Sequence, residues 1–438
     1  MRTGVTITVL ALAAIVVATL RPDSNPPLPS HWCLICGSQG GVDAILNVLL
    51  FIPLGVGLSL AGARARHVVL SGLLLSALIE TAQLTVIAGR DATVGDIIAN
   101  TCGAALGYAA ANYSVVLFRP SARAAMALIG AWSFVWLALS AALSFAFVQA
   151  VPGSYFYGQL GRRLGNFDWF NGQVLSAQVG SARITDSRID SSETMSERLM
   201  EGIPLTAAVV PGDPTTRIAP IVRVVDSAGS EAVMLGQLGS MLVLRPATGA
   251  RIIKLRAPIF GAARVFERRP RDPGSSAGTA PTAQRLSPSI NLVAQYNSMA
   301  TLLQGTSAYA SIQKRIPVRA TLGWIALLPF QWIVEGSRWE LVISAAWIGC
   351  LVLLPGYWSA FTGIPDQPRS FSLPSLVWPL LILVVVYAGM DAMPRILRVG
   401  VAGIPEWFIA VAAIFSAHLI GRLVTSRLGS SSGTASVT

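Results

Sequence analysis

Residues 43–62 read DAILNVLLFIPLGVGLSLAG, an apolar run with one formal charge, Asp43, at its start and Pro53 in its middle. About 20 mainly apolar residues cross the roughly 30 Å hydrocarbon layer as an α-helix, so this stretch predicts a membrane span. The pattern recurs on both sides of it. Before the central region, similar runs extend from Gly4 to Leu20, His67 to Ala88, Gly95 to Phe118 and Ala124 to Val151. After it come Arg319 to Val334, Leu341 to Trp358, Leu373 to Met390 and Ile404 to Leu423. The reading is about five spans, then a polar interval, then about four more. No small-x-small cleavage pattern precedes Arg21, so the first run is expected to stay as a span and not to be removed as a signal peptide.

Composition agrees with a chain that mostly faces lipid: 53% of 438 residues are hydrophobic and 12% charged. The net charge of +11 comes from basic residues spread along the chain and not gathered in a stripe, which argues against a nucleic-acid partner. Arginines in short links set orientation instead. Arg64, Arg66 and His67 mark one cytoplasmic link, and Arg119 and Arg123 mark another. The links at 21–42 and 89–94 then lie outside a bacterial inner membrane, and five crossings deliver everything after Val151 to the extracytoplasmic side. The second half is less consistent. Arg395 and Arg398 favour an internal loop, yet counting onward leaves Arg422 and Arg427 outside.

Between Pro152 and about Pro317 the runs shorten to strand length and turn residues recur. Expected strands are Gln173 to Asp186, Leu205 to Val210, Ile218 to Asp226, Glu231 to Gln237, Met241 to Arg245 and Arg251 to Leu255, with a mobile loop from Phe266 to Ser289. The fold class expected is a polytopic α-helical membrane protein with an inserted extracytoplasmic all-β sandwich domain. Its parts would be a membrane domain at 1–151, the β domain and loop at 152–317, C-terminal spans at 318–423 and a disordered tail at 424–438.

In the first half, isolated polar residues recur at one predicted depth. Asp43 and Asn47 lie one turn apart, as do Glu80 and Gln83, and Asp96 and Asn100, with Arg90 in the intervening link. Ionisable groups near hydrocarbon are costly unless paired or wet, so the cluster is a candidate ligand-binding site. Equally, such groups can tie helices together. Three carboxylates against one guanidinium leave an acidic surplus that could take a cation or raise carboxyl pKa values. Pro53 with Gly55 and Gly57 reads as a kink, and Gly103 with Gly107 as a small-residue face for close helix approach.

Taken together, Asp43, Asn47, Phe51, Pro53, Gly55, Glu80, Gln83, Arg90, Asp96, Asn100, Gly103 and Gly107 resemble the VanZ-like family pattern in order and spacing. The family is named for a protein linked to low-level teicoplanin resistance, so the resemblance implies a cell-envelope role. Thr93 stands where many members carry an acidic or small polar residue. The central region is similar, through Phe170, Asn171, Gly172 and the run from Leu235 to Arg245, to concanavalin A-like sandwiches. Such domains often bind glycans through exposed aromatics, here Phe167, Trp169 and Phe170, although the rings can instead pack the join to the membrane. Cys33 and Cys36, beside His31 in an outer link, are expected to form a structural disulfide.

These residues suggest an envelope protein that meets membrane lipid and binds or handles a lipid-linked or surface glycan at an outer-leaflet polar site. Two other readings compete: a membrane hydrolase or transferase acting on a phospho-lipid carrier, and a structural partner of a polysaccharide-export complex. No cofactor is specified by the residues, and no metal is assigned.

Overall fold

The computed structural model describes residues 2–20, 32–87, 92–153, 155–161, 164–165, 167–189, 192–267, 289–362 and 376–432. His31, Arg90 and most of the loop expected at 266–289 lie outside these. The chain begins with helices α1 (Arg2–Thr19), α2 (Gly40–Leu60), α3 (Ala65–Thr85), α4 (Val94–Asn112), α5 (Ser114–Phe118) and α6 (Ala122–Phe147). The β domain follows, with two short helices, α7 (Ser192–Met200) and α8 (Gly249–Ile252). The chain then returns to α9 (Arg338–Trp358), α10 (Val377–Tyr387), α11 (Met393–Ile396) and α12 (Ile404–Ser432). A single π-helical turn, Ala388–Ala392, joins α10 to α11.

Among the described residues, seven helices are long and apolar enough to cross a membrane: α1, α2, α3, α6, α9, the α10–α11 unit and α12. α4 is not one of the seven, yet it lies parallel to α2, one of the seven, at backbone contact distance. A Cβ on Gly103 would stand 2.3 Å from the Val48 carbonyl oxygen, and one on Gly107 would stand 2.1 Å from that of Ile52. Reciprocally, a Cβ on Gly55 would stand 2.0 Å from the Ala104 oxygen. Only glycine permits this approach, and the gain is van der Waals contact between two backbones. α2 runs on past Pro53, and Gly55 and Gly57 lie against α4 and against Thr8 of α1.

Counting α4 with the seven gives eight crossings among the described residues, five before the β domain and three after it. The span expected from Arg319 to Val334 does not exist. Ala320–Leu327 forms a buried 3-10 helix, and Ile333–Val334 adds a short strand to the β domain. The run is too short to span and is broken at Pro329, so Leu322, Trp324 and Ile325 join the sandwich core. The β domain thus extends past Pro317 to Val334. Losing one crossing reverses the direction of every later helix.

The bundle therefore has two distinct ends. Trp358 Nε1 donates to the Leu117 oxygen at 2.9 Å and Tyr357 Oη to the Phe118 oxygen at 2.6 Å, which places the end of α9 beside the start of α6. Gly421 of α12 packs on Tyr357 at that same end, so Arg422 lies with Arg119 and not opposite it. Arg395 and Arg398 go to the other end. Gly400 bridges to Arg319, Leu397 and Val399 pack on the sandwich, and Arg395 is paired with Asp391. The helix also continues to Ser432, into the stretch from 424 expected to be a disordered tail, of which 433–438 lie outside the described residues.

Twelve described strands form two six-stranded sheets. In chain order they are β1 (Phe156–Leu160), β2 (Gln173–Val179), β3 (Ala182–Arg183), β4 (Leu205–Val210), β5 (Ala219–Asp226), β6 (Glu231–Leu238), β7 (Met241–Pro246), β8 (Ile259–Ala262), β9 (Ile290–Asn297), β10 (Ala300–Thr306), β11 (Ser311–Pro317) and β12 (Ile333–Val334). One sheet has the order β1-β5-β6-β7-β8-β12 and the other β11-β10-β9-β4-β2-β3. Every pairing is antiparallel except β8 with β12. The inner faces meet through Phe156, Phe170, Val179, Leu205, Leu235, Leu244, Leu292 and Leu303, as the facing apolar sides of two sheets must. The stretch from Arg251 to Leu255, expected as a strand, instead carries the end of α8 and a turn. Lys254 there adopts φ 54, which an extended strand cannot contain. Tyr296 of β9 donates from Oη to the Phe147 oxygen at 2.5 Å and so anchors the end of α6 to the sandwich.

One buried carboxylate organises the first sheet. Glu231 is 4% exposed and accepts from Arg223 Nε at 2.8 Å, Arg245 Nε and Nη2 at 2.6 Å each, and Arg251 Nη2 at 2.9 Å. Burial alone would raise its pKa, but the hydrogen bonds and charge of Arg245, with Arg251 and Arg223, hold it down at about 2.

Two outcomes follow. Reporters fused after Arg64 and at the C-terminus should face the same side of the membrane, opposite a tag placed in the β domain; reporter accessibility on opposite sides would contradict eight crossings. The depressed carboxyl of Glu231 contributes stability that is complete above its ordinary value of 4.5 and lost as pH falls toward 2. The loss should be roughly 3 kcal/mol. Glu231→Gln should flatten that part of an acid-unfolding curve.

Candidate functional site

The helix ends nearest the β domain hold the polar residues picked out in the sequence. α4 begins at Thr93, whose extended backbone makes it the N-cap. Its Oγ1 accepts from the Asp96 amide at 3.1 Å and donates to Asp96 Oδ2 at 2.8 Å. Asp96 Oδ1 accepts from Asn47 Nδ2 of α2 at 2.6 Å. On the other side, the Thr93 amide donates to Glu80 Oε2 of α3 at 2.7 Å. One connected chain, Asn47–Asp96–Thr93–Glu80, therefore spans three helices. Thr93 was missed as a working residue by reasoning from sequence. Its signal was Thr-Val-Gly-Asp, a threonine three residues ahead of a carboxylate at a helix start.

The other described members of the expected cluster each have partners of their own. Gln83, 7% exposed, donates to the Thr19 oxygen at 2.8 Å and so ties α3 to α1. Asn100, 1% exposed, donates to Ser76 Oγ at 2.9 Å between α4 and α3. Its Oδ1 is buried with no hydrogen-bond partner. Both amides act as interhelical ties. Asp43 is exposed at the start of α2 and faces Arg256 of the β domain, whose own charged form is disfavoured by burial and supported by Asp43. Arg256 is held by hydrogen bonds to the Leu328 and Pro329 oxygens at 3.0 and 3.1 Å. Beside them the Gly41 amide donates to the Lys254 oxygen at 3.0 Å. The carboxylate end of α2 is thus docked on the β domain.

Cys33 and Cys36 are joined in a disulfide. The small loop they close lies across the start of α4. The Gly95 amide donates to the Cys33 oxygen at 3.3 Å, and a Cβ on Gly95 would stand 2.1 Å from the Leu34 oxygen. Trp32 and Leu34, 85% and 64% exposed, project from that loop, and Lys254 Nζ donates to the Ile35 oxygen. The site is therefore bordered by helix ends, the disulfide loop and the segment 253–256. Among the described residues no group of three or more His, Cys, Asp or Glu side chains is placed to hold a metal ion. Of the three aromatics considered for glycan binding, Phe170 is a core residue, Phe167 lies 5.1 Å beneath the Arg245 guanidinium and Trp169 is 60% exposed.

Asp96 is the joint of this network, since it serves Asn47 and Thr93 together. Asp96→Ala should lower thermal stability in detergent by about 1–3 kcal/mol, the cost of leaving the Asn47 amide and the Thr93 hydroxyl without their acceptor. In a double-mutant cycle, Asn47→Ala should then add little; additive losses would show that the two side chains act separately.

Comparison with known proteins gives one match. Residues 18–119 match the family model described as VanZ/LLP1, which spans the end of α1 through α5 and contains the whole Asn47–Asp96–Thr93–Glu80 chain. No curated protein and no solved structure matches the chain, so the concanavalin A-like resemblance rests on strand pattern alone. The N-terminal helices of this multi-pass protein, from the end of α1 through α5, are thus similar to the VanZ/LLP1 family, and the match extends no further along the chain.

Proposed function

We propose that this protein binds or handles a lipid-linked or surface glycan at the polar end of α2, α3 and α4, in the outer leaflet of the bacterial inner membrane, with the β domain as an accessory recognition module. The observation that carries this reading is the join itself: Asp43 faces Arg256, and Gly41 is hydrogen-bonded to Lys254. A headgroup emerging from the membrane beside α2 would meet carboxylates and amides of the VanZ-like domain on one side. On the other it would meet basic residues of the β domain.

Orientation supports the same placement. Arg64, Arg66, Arg119 and Arg123 sit in links at the end remote from the β domain, and Arg422 lies at that end of α12. The positive-inside tendency then puts that end in the cytoplasm and the β domain outside. A disulfide between Cys33 and Cys36 accords with an oxidising compartment on the β-domain side.

The reading is tested by purifying the full-length protein directly from native membrane into nanodiscs and identifying the lipids it retains by mass spectrometry. Asp43→Ala, an exposed change, and the triple change of Asp43, Glu80 and Asp96 to Ala should each reduce retained glycan-bearing lipid by about tenfold or more, about 1.4 kcal/mol. They should also lower teicoplanin tolerance of cells that depend on the protein. Unchanged lipid retention together with unchanged tolerance would overturn it.

A further inference from the structure

The three arginines around Glu231 present more positive charge than their carboxylate can neutralise. Arg223 and Arg245 stand opposite the same residue, Met234, on neighbouring strands, and so occupy one row across the sheet. Arg251 reaches the same carboxylate from α8 and also donates Nη1 to the Glu231 backbone oxygen at 2.5 Å. Arg223 continues the row through Nη1 to Gln159 Oε1 at 3.1 Å, and Arg245 lies over the Phe167 ring. One carboxylate against three guanidiniums leaves two uncompensated charges. All three side chains keep a solvent-facing part, being 19, 22 and 30% exposed.

Each arginine spends two of its five N–H groups on Glu231 and Gln159. A guanidinium held rigidly at one edge offers its other edge as a fork, the geometry that phosphate oxygens accept. Arg251 also lies close to the end of α6, one of the helices apolar enough to span a membrane. Gly249, two residues before Arg251, packs on the Phe145 oxygen at the end of α6, and its amide donates to the Val148 oxygen at 2.8 Å. Ile252, next to Arg251, is 65% exposed, an apolar residue beside a cation as expected at a lipid interface.

We propose that Arg223, Arg245 and Arg251, fanned by Glu231, form a binding site for a phosphate group at the membrane surface. This site is separate from the Asn47–Asp96–Thr93–Glu80 chain and stands without the glycan reading. Phosphate carried on a lipid and free phosphate share the required chemistry, and Ile252 favours the lipid-borne form.

The test is native mass spectrometry of the delipidated full-length protein with three probes: dilauroyl phosphatidic acid, dilauroylglycerol and inorganic phosphate. Phosphatidic acid should be retained at least ~10-fold better than the phosphate-free diglyceride, with inorganic phosphate competing only weakly if the lipid-borne form is the ligand and equally if free phosphate is. Arg251→Gln should reduce retention about tenfold. Because that change also leaves Glu231 with fewer partners, the pair Arg251→Gln with Glu231→Gln, which removes one charge of each sign, provides a second reading and should still lose phosphate binding. Equal retention of the two lipids, with no binding of inorganic phosphate, would overturn the site. So would full phosphatidic acid retention in both variants.

Discussion

The parallel backbone contact of α2 with α4 is the constraint on which the rest of the VanZ-like domain depends. Three glycines, Gly55, Gly103 and Gly107, let the helices meet at a distance no side chain would allow, and the Val48–Gly103 and Ile52–Gly107 contacts fix a single register. That register sets Asn47 beside Asp96, closing the hydrogen bond between them. A shift of one residue along either helix would rotate Asp96 by about 100° away from α2, given 3.6 residues per turn. Polar residues at a membrane-helix end can work in concert only if a less forgiving interaction holds the helices still. Here the forgiving part is the polar chain and the unforgiving part is the glycine contact.

The second constraint is the seam between the membrane helices and the sandwich. It is built from backbone as much as from side chains: the Gly41 amide to Lys254, the Gly249 amide to Val148, the Ala150 amide to Ala247 and Tyr296 Oη to Phe147. Helix ends leave amides and carbonyls unpaired, and a seam at the edge of the hydrocarbon must satisfy them within the protein. The apolar run at 320–327 takes part in the same closure. It fills the space between α6, α9 and the sandwich, with Trp324 Nε1 donating to Ser344 Oγ at 2.9 Å.

What could be read from the residues follows from how local each signal is. The spans of the first half and strands such as Leu205–Val210 declare themselves through unbroken or alternating apolar runs. Asp43, Asn47, Glu80 and Asp96 declare themselves by being polar where lipid requires apolar residues. The false span at 319–334 has the composition of a membrane helix and lacks only the length, and its burial comes from the sandwich, which no window along the chain contains. Strand β9 was open to reading, since Ile290, Leu292, Ala294 and Tyr296 alternate with more polar residues. The Glu231 fan was not, because its arginines come from β5, β7 and α8 and are joined only by sheet register. Gln83 and Asn100 show the opposite limit: their rarity in a span was visible, but their use as interhelical ties depends on Thr19 and Ser76, which carry no signal of their own.

Four carboxylates at the β-domain end share one electrostatic origin. Asp43, Asp96, Glu340 and Glu406 each lie in the first turn of a helix that starts there, α2, α4, α9 and α12 respectively. Helices starting at one face bring positive dipole ends together, and a carboxylate in the first turn offsets each. Three of the four are absorbed in this task. Asp96 completes the α4 cap. Glu340 accepts from the amides of Glu335, Gly336 and Ser337 at 2.9, 2.8 and 3.1 Å. Glu406 accepts from Arg319, Thr321 and the Gly403 amide at 3.3, 3.1 and 3.0 Å. Asp43 differs in being exposed and in facing a cation of the other domain. On the sandwich side the segment that meets α2 carries Lys254 and Arg256. Asp43 is thus the one of the four whose charge is turned toward the join between the helices and the sandwich.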